Sequence, residues 1–158
     1  MATLETRRAQ LSDSSVLSRL TLELGYDCTE VLMRQRIVRL RDDPDHAIFV
    51  AALDGDEVVG WVHTEIRSPL WSEPFAEING LVVGVHHHRL GIGRALVDRV
   101  EAWADTRGIG DVRVAVQLHR EPAHEMFEKL GFEATEERQV WRHVVQDIDF
   151  GGHPTLVD

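Results

Sequence analysis

Residues 78–108 constrain the fold most, because an apolar strand there runs through a glycine-containing turn into a long amphipathic helix. The period of the apolar residues predicts the strand over 76–85 and the helix over 93–107. Gly91 and Gly93 let the backbone approach a ligand without obstruction by a side chain. The free N–H groups and the dipole at the start of the helix favour negative charge. The sequence therefore predicts an anion site at this turn, suited to a pyrophosphate.

Two well-known phosphate-binding motifs do not match this turn. A dinucleotide fold requires G-x-G-x-x-G, whose third glycine would fall at Leu96, and a Walker loop requires G-x-x-x-x-G-K-[ST], which is also absent. Arg89 and Arg94 flank the glycines and can add charge-assisted hydrogen bonds to an anion. A helix-entry turn with a purely structural pair of glycines remains the alternative interpretation.

The rest of the chain has the patterns of a mixed α/β domain. Asp54 and Gly55 predict a hairpin turn between two alternating runs. The predicted elements, in order, are a strand at 3–8, a helix at 13–24, a second helix capped by Thr29, strands at 47–53, 57–66 and 76–85, the helix at 93–107, a strand at 112–116, a helix that begins near Pro122, and a last strand at 139–145. We expect one domain over residues 1–158, with a core at about 3–145 and a tail, 146–158, that is loop or arm.

Length and charge narrow the range of functions. The 158 residues suit one domain, and the formal charge of 17 − 27 = −10 argues against nucleic acid and anionic membranes as partners and favours cationic ones. The N-terminus lacks the apolar region of a signal peptide, and no run approaches the roughly 20 apolar residues of a membrane span, so we expect a cytoplasmic protein. Cys28 is the single cysteine, which excludes an intramolecular disulfide.

Three motifs together resemble the GCN5-related N-acetyltransferase (GNAT) family. The family signature [QR]-x-x-G-x-[GA] falls on HRLGIG at 88–93, and LVV at 81–83 matches the strand whose backbone holds the acetyl-pantetheine arm. HREPAHEMFEKLGF at 119–132 resembles the family helix N-x-x-x-A-x-x-x-Y-x-x-x-G-F. The resemblance covers roughly residues 3–145. It implies the acyl-CoA N-acyltransferase (GNAT) fold, a mixed and mostly antiparallel sheet flanked by helices, with acetyl-CoA as cosubstrate and no metal.

By this resemblance, the cofactor contacts come from the strand, the turn, the start of the helix and two later positions. They are Leu81, Val82, Val83, His88, Arg89, Leu90, Gly91, Ile92, Gly93, Arg94, His119 and Phe127. The chain departs from the family pattern at three of them. His88 stands where Gln or Arg is usual, His119 stands where Asn is usual, and Phe127 stands where many members have the tyrosine that protonates the departing thiolate.

The resemblance implies direct attack of an amine on the acetyl thioester. An alkylammonium group with a pKa near 10 must first lose a proton, and Glu77 matches the position from which a family base acts. Strict alternation would place Glu77 on one face with Asn79 and Leu81. The alternative for Glu77 is an exposed carboxylate or a structural ion pair. A backbone N–H near Val83 is expected to stabilise the oxyanion, and His119 or water is expected to act as the acid.

In the family, the acceptor is set largely by the first two helices and the loop near 67–75. The candidate acceptor contacts are Tyr26, His63, Trp71 and Asn79. A paired surface histidine is the alternative for His63. The run His86–His88 is not expected to bind a metal, since consecutive side chains point in different directions.

Several functions remain open at this stage. We expect an N-acetyltransferase acting on a cationic amine, which can be aminoglycoside-like, a polyamine, an amino acid or a peptide amine. A non-catalytic CoA-binding module and an enzyme that transfers a longer acyl group are the alternatives. A homodimer is possible through exposed strand edges or the C-terminal arm.

Overall fold

The computed structural model describes residues 2–88, 90–116, 121–146 and 156–157. A six-stranded sheet lies at its centre, with helices on both faces. The strands are β1 (Leu4–Arg8), β2 (His46–Leu53), β3 (Glu57–Arg67), β4 (Phe75–Val83), β5 (Val112–Val114) and β6 (Leu156–Val157). The helices are α1 (Ser14–Glu23), α2 (Glu30–Arg41), α3 (Ile92–Thr106) and α4 (Glu121–Lys129), and short 3-10 turns span Leu11–Asp13 and Val85–His87.

The sheet is antiparallel from β1 to β4 and parallel beyond. Strands β1, β2, β3 and β4 lie side by side in chain order, each antiparallel to the next. Strand β5 pairs in parallel with the first part of β4, at Ala76–Ile78. Strand β6 pairs in parallel with β4 further along, opposite Gly80 and Leu81. The expected mixed, mostly antiparallel sheet is therefore confirmed.

Each face of the sheet carries its own apolar cluster. On one face, α3 and α4 pack on β2, β3 and β4, with Phe49, Leu96 and Val100 almost completely buried. On the other face, α1 and α2 cover Trp61 and Val82 together with their own leucines and isoleucine. Burial of large side chains such as these stabilises a fold by about 1.5–3 kcal/mol each.

The hairpin and most element boundaries agree with the sequence predictions. Asp54 and Gly55 both have positive φ angles, 50° and 98°, as the turn requires. Helix α2 begins after Thr29, whose hydroxyl oxygen accepts a hydrogen bond from the N–H of Leu32 at 3.2 Å. The prediction of one helix at 13–24 is close to α1, which begins at Ser14 after a 3-10 turn.

The predicted last strand at 139–145 is wrong. Residues 133–146 have no regular secondary structure, and Val140 and Trp141 are 83% and 87% exposed. The segment is rich in valine and carries a tryptophan, residues that favour strands, but no described strand pairs with it. Strand β6 instead lies in the tail that we expected to be loop or arm, and the tail residues 147–155 lie outside the described part of the chain.

An ion pair between the half-buried Arg7 and the buried Asp13 joins the first strand to the 3-10 turn before α1. The carboxylate of Asp13 accepts hydrogen bonds from both terminal nitrogens of Arg7, at 2.7 and 2.9 Å, and from the N–H of Gln10 at 2.7 Å. Burial raises the pKa of Asp13, but these hydrogen bonds lower it more, so the net direction is downward. Among the residues that the structure describes, no helix is long and apolar enough to cross a membrane.

Candidate active site

In the C-terminal half of β4, beyond the pairing with β5 that ends at Ile78, the outer edge is paired with β6 at Gly80 and Leu81 and is open at Val82 and Val83 among the described residues. The N–H of Gly84 donates to the carbonyl of Val59 on β3 at 2.8 Å. Hydrogen-bonding directions alternate along an antiparallel strand, so Val83 turns its N–H and carbonyl away from β3, toward the open edge. The carbonyl of Val83 accepts a hydrogen bond from Nε2 of His88 at 3.2 Å. The N–H near Val83 that we expected to stabilise the oxyanion therefore faces the edge.

The start of α3 has the geometry of an anion site. Gly91 is the N-cap residue, with a left-handed φ of 78° and ψ of 13°, and it has no side chain to cap the helix. The N–H of Ala95 makes the first helical hydrogen bond, to the carbonyl of Gly91 at 3.0 Å. The N–H groups of residues 92–94 therefore have no acceptor within the helix. A Cβ built on Gly91 would have nothing within 4 Å, so the approach to these N–H groups is open on that side.

Of the two arginines predicted beside the turn, Arg94 lies in the described part of the chain and Arg89 does not. The guanidinium of Arg94 donates to the carbonyl of Lys129 at 3.4 Å, which links the start of α3 to the end of α4. A Cβ on Gly93 would lie 3.1 Å from Sδ of Met126, so this glycine also serves the contact between α3 and α4. Leu90 is 57% exposed at the rim. Arg89 lies outside the described residues.

Several predicted cofactor contacts are buried side chains. Leu81 and Val82 have no exposed surface, and Ile92 is 1% exposed, so only their backbone groups are available to a ligand. Phe127 is 4% exposed and packs edge-on against Phe132, with ring centroids 5.2 Å apart. Phe127 therefore belongs to the core that holds α4 against the sheet.

The backbone edge and the helix start together fit acetyl-CoA. Backbone N–H and carbonyl groups at the outer edge of β4 match the amides of a pantetheine arm, and the N–H groups of residues 92–94 match a pyrophosphate. Strand β6 is the one described segment that competes for the edge, since Leu156 and Val157 lie opposite Gly80 and Leu81.

A bulge in β4 overturns the expected alternation of its side chains. His63 of β3 pairs with Gly80 and Thr64 pairs with Ile78, which leaves Asn79 as an extra residue. The hydroxyl of Thr64 donates to the carbonyl of Glu77 at 2.9 Å next to this bulge. Because of the extra residue, Leu81 faces the α3 side of the sheet with Ile78. The prediction that Leu81 shares a face with Glu77 and Asn79 is therefore wrong.

A row of polar side chains lies on the α1/α2 face beside the open edge. Asn79 donates through Nδ2 to Oε1 of Glu65 at 3.1 Å. The other oxygen of Glu65 lies 3.5 Å from Nε2 of His46, and Nδ1 of His46 lies 3.0 Å from Nε2 of His63. The acceptor candidates Asn79 and His63 are thus brought together through two residues that the sequence analysis missed, His46 and Glu65.

Glu77 lies on the same face, opposite Glu65 in the pairing of β3 and β4. Its Oε2 accepts a hydrogen bond from Nη1 of Arg67 at 2.8 Å, and its side chain is 23% exposed. The alternative interpretation of Glu77 as a partner in an ion pair is therefore seen in the structure. The ion pair fixes one carboxylate oxygen in position on this face.

His63 is a neutral histidine at ordinary pH. Burial, and to a smaller extent the nearby His46 and Arg39, lower its pKa to about 4. The alternative interpretation of His63 as a paired histidine is confirmed by its contact with His46, although the pair is half-buried rather than on the open surface.

The remaining predicted site residues are separated. Tyr26 is 8% exposed at the end of the α1 region, and Trp71 is 71% exposed in the loop between β3 and β4. His119, the candidate acid, lies outside the described residues. The histidine run contacts different partners, since His87 lies 3.6 Å from Glu57 and His88 binds Val83. Within the described ranges, no group of three or more His, Cys, Asp or Glu side chains is arranged to hold a metal ion.

The residues that the sequence analysis missed had a recognisable signal. His63, Glu65 and Arg67 follow each other at every second position of one predicted strand, so they share a face with each other. This spacing predicts a polar patch on β3. The pairing of β3 with β2 and β4, which brings His46 and Asn79 to the same patch, is visible only in the structure.

Comparison with known proteins gives consistent matches. A model of the acetyltransferase (GNAT) family matches residues 15–132. The aminoglycoside N(6')-acetyltransferase type 1 of Stenotrophomonas maltophilia is 27% identical over 134 residues, which are 82% of this chain and 86% of that relative. The streptothricin acetyltransferase of Escherichia coli is 31% identical over 90 residues, which are 57% of this chain and 49% of that relative.

Solved structures match over most of the chain. The aminoglycoside 6'-N-acetyltransferase AAC(6')-Ih from Acinetobacter baumannii has a TM-score of 0.79 at 22% identity, covering 91% of this chain and 100% of that one. The aminoglycoside N-acetyltransferase AAC(6')-Iy in complex with CoA has a TM-score of 0.82 at 18% identity, covering 90% and 96%. At these identities the likenesses establish the fold.

Proposed function

The chain belongs to the acetyltransferase (GNAT) family, and we propose that it transfers the acetyl group of acetyl-CoA to an amine of a polycationic, aminoglycoside-like acceptor. Family membership and the named acetyltransferase relatives make the protein an acetyl-CoA-dependent N-acetyltransferase. The observation that carries the proposal for the acceptor is the polar row on the α1/α2 face, which lies beside the open edge of β4. Two carboxylates, those of Glu65 and Glu77, lie on this face.

The backbone of β4 and the start of α3 hold the cosubstrate in this proposal. When bound, acetyl-CoA supplies a thioester whose carbonyl carbon an amine can attack. The edge of β4 at Leu81–Val83, where the cosubstrate competes with β6, binds the pantetheine amides, and the N–H groups of residues 92–94 bind the phosphates. The N–H of Val83 faces the same edge and stabilises negative charge on the thioester oxygen during transfer.

Glu77 accepts the proton that the acceptor must lose. An alkylammonium group has a pKa near 10, so at neutral pH the amine needs a base before it can attack. Arg67 binds one oxygen of Glu77 at 2.8 Å and leaves the other to accept a proton. Protonation of the departing thiolate falls to His119 or to water, because Phe127 has no hydroxyl group and is buried in the core.

The acceptor's positive charge follows from the surroundings of the polar row. The chain carries a formal charge of −10, and Glu65 and Glu77 are paired on the face where we propose that the amine binds. A carboxylate attracts an ammonium group, and a field of one sign raises the local concentration of oppositely charged substrates. The aminoglycoside N(6')-acetyltransferase relatives are named for acceptors of this kind.

The test is a steady-state assay of thiol release with acetyl-CoA and pairs of aminoglycosides that differ only in a 6'-amine or a 6'-hydroxyl. We expect turnover with the amine and none with the hydroxyl. The preference for more highly charged acceptors should weaken as salt rises, since ions screen charges over about 10 Å at 0.1 M. Tight CoA binding without transfer to any amine of a broad panel would instead favour a non-catalytic CoA-binding module.

Substitution of Glu77 tests its assigned role. Glu77→Gln keeps the size and removes the base, so we expect the rate to fall most at pH values below the pKa of the amine. Glu73→Gln is the matched control, because Glu73 is exposed in the loop just before β4. A pH–rate profile of Glu77→Gln that matches that of Glu73→Gln would remove Glu77 as the base.

A further inference from the structure

Two arginine side chains from different elements meet over one aromatic ring, far from the glycine turn. Cζ of Arg8, at the end of β1, lies 5.0 Å from the ring centroid of Phe49, and Cζ of Arg99, on α3, lies 5.0 Å from the same centroid. Cζ of Arg107, at the end of α3, lies 5.7 Å from the ring of Trp103. We call Arg8, Arg99 and Arg107 the arginine cluster. The aromatic rings hold the guanidinium groups in place.

The arginine cluster is unusual in a chain whose acids outnumber its bases by 27 to 17. Arg7 pairs with Asp13 and Arg67 pairs with Glu77, yet neither Arg8 nor Arg99 forms an ion pair with any carboxylate in the described part of the chain. The neighbours of Arg99 at helical spacing are all apolar: Ala95, Leu96, Ala102 and Trp103. Arg107 is the member with a partner, since it donates to Asp45 at 3.0 Å.

The positive charges of Arg99 and Arg107 act on Arg8 and repel its charge. Burial lowers the pKa of Arg8, and the charges of Arg99 and Arg107 lower it further. This repulsion has no compensating anion among the described residues around Arg8 and Arg99. A bound anion would remove it and would receive several N–H donors from guanidinium groups that are already held in position.

A cleft adjoins the arginine cluster and has room for such a ligand. Its volume is about 540 Å³, and it lies between the ends of β1, α2 and α3. Arg8, Arg107 and the side chain of Thr106 line the β1 and α3 side. Arg41, His46, Asp42 and Asp43 also line the cleft, so an anion has its favourable place near Arg8 and Arg107 and away from the two carboxylates. The cleft lies about 20 Å from Gly91 along the axis of α3, so it is separate from the predicted cosubstrate site.

We propose that the arginine cluster is a second anion site, which binds a small phosphate-bearing ligand at the far end of the sheet. A phosphate dianion satisfies more guanidinium donors than a single carboxylate does, and planar guanidinium groups match its oxygen geometry. The arginine cluster stands independently of the proposed acetyl transfer, because Arg8, Arg99 and Arg107 belong neither to the polar row nor to the turn before α3, although His46 of the polar row also lines the cleft.

The test is a titration of the full-length protein with inorganic phosphate at constant ionic strength, followed by NMR of the backbone amides and the arginine Nε–H groups. Saturating CoA is present throughout, and sodium chloride is the control titrant. We expect phosphate, but not sodium chloride, to cause saturable chemical-shift changes at Arg8 and Arg99. The phosphate concentration at half-saturation should rise about tenfold in the double variant Arg8→Gln/Arg99→Gln. Arg34→Gln is the matched control, since Arg34 is exposed on α2, and it should leave the midpoint unchanged.

Three outcomes would overturn the proposal: shifts that do not saturate, equal responses to phosphate and chloride, or an unchanged midpoint in the double variant. Shifts confined to the amides of residues 91–94 would also overturn it, because phosphate would then bind only at the turn. If the double variant does not fold, Arg99→Gln alone gives the same discrimination, since glutamine is a good helix former at an exposed position.

Discussion

Nδ1 of His46 lies 3.0 Å from Nε2 of His63, and the two rings stack with centroids 5.2 Å apart at an angle of 25°. Only one proton fits between two ring nitrogens at this distance, so one histidine donates and the other accepts. Glu65 lies 3.5 Å from the other nitrogen of His46. His63 is the neutral ring of the pair, because its burial lowers its pKa.

The first prediction concerns the pH dependence of stability. The unfolded chain binds a proton at a histidine near pH 6.5, whereas His63 in the folded protein does so only near pH 4, because it is buried beside His46 and Arg39. The unfolded state therefore binds more protons between these pH values, and stability falls as pH falls through this window. We expect His63 to account for a loss of about 3 kcal/mol, measured by urea unfolding at pH 7 and pH 4.

Carboxylates also titrate in the lower part of that window, so the informative quantity is a difference between variants. In His63→Gln, the fall in unfolding free energy between pH 7 and pH 4 should be smaller than in the unsubstituted protein. His143→Gln is the matched control, since His143 is exposed. Equal pH dependence in all three proteins would contradict the assignment of His63 as a buried neutral histidine.

The second prediction concerns the glycine at the start of α3. Gly91 has a φ of 78°, which a β-branched residue adopts only with strain of about 1–2 kcal/mol, although a Cβ there meets no atom within 4 Å. Gly91→Val should raise the KM for acetyl-CoA by about tenfold or more, because strain displaces the N–H groups that follow. Gly110→Val is the control in an open loop. An unchanged KM in Gly91→Val would refute the placement of the phosphates.

The third prediction concerns the competition between strand β6 and the pantetheine arm for the edge of β4. Leu156 of β6 lies opposite Gly80, on the edge that the pantetheine arm is proposed to use. Leu156→Pro removes a backbone N–H and weakens strand pairing. We expect this variant to have a lower KM for acetyl-CoA with an unchanged kcat. A KM that stays the same or rises would show that β6 does not compete with the cosubstrate.

The fourth prediction concerns the ion pair that joins β1 to the 3-10 turn before α1. Asp13 is 5% exposed and accepts three hydrogen bonds, two of them from Arg7. Asp13→Asn leaves Arg7 without its charge partner, so we expect a loss of about 2 kcal/mol in unfolding free energy at pH 7. Because the pKa of Asp13 is lowered in the folded state, the gap between the variant and the parent should narrow as pH falls through that pKa. A gap that stays constant would contradict the ion-pair explanation.

Periodicity and turn chemistry predicted most of the fold because they act locally. The Asp54–Gly55 hairpin, the helix that begins after Thr29 and the glycine before α3 each depend on residues a few positions apart. The strand predicted at 139–145 failed for the opposite reason. Its valines and tryptophan favour a strand, but a strand forms only where another strand offers an unpaired edge, and this information is not local.

The candidate site was predictable in its backbone and less so in its side chains. The turn at 88–93 has a sequence signature because glycine is required at a left-handed position. The bulge at Asn79 has no such signature, since it arises from the register between β3 and β4, and it moves Leu81 to the other face. His46 joins the site through strand pairing across two sheet positions, so no spacing in the sequence identifies it.

Mass spectrometry of an aminoglycoside after incubation with acetyl-CoA and the purified protein tests the central claim most directly. The account predicts that the acceptor gains one acetyl group at its 6'-amine, that Glu73→Gln retains this activity, and that Glu77→Gln loses most of it at neutral pH. A protein that binds CoA yet leaves every amine of the panel unmodified would contradict the account.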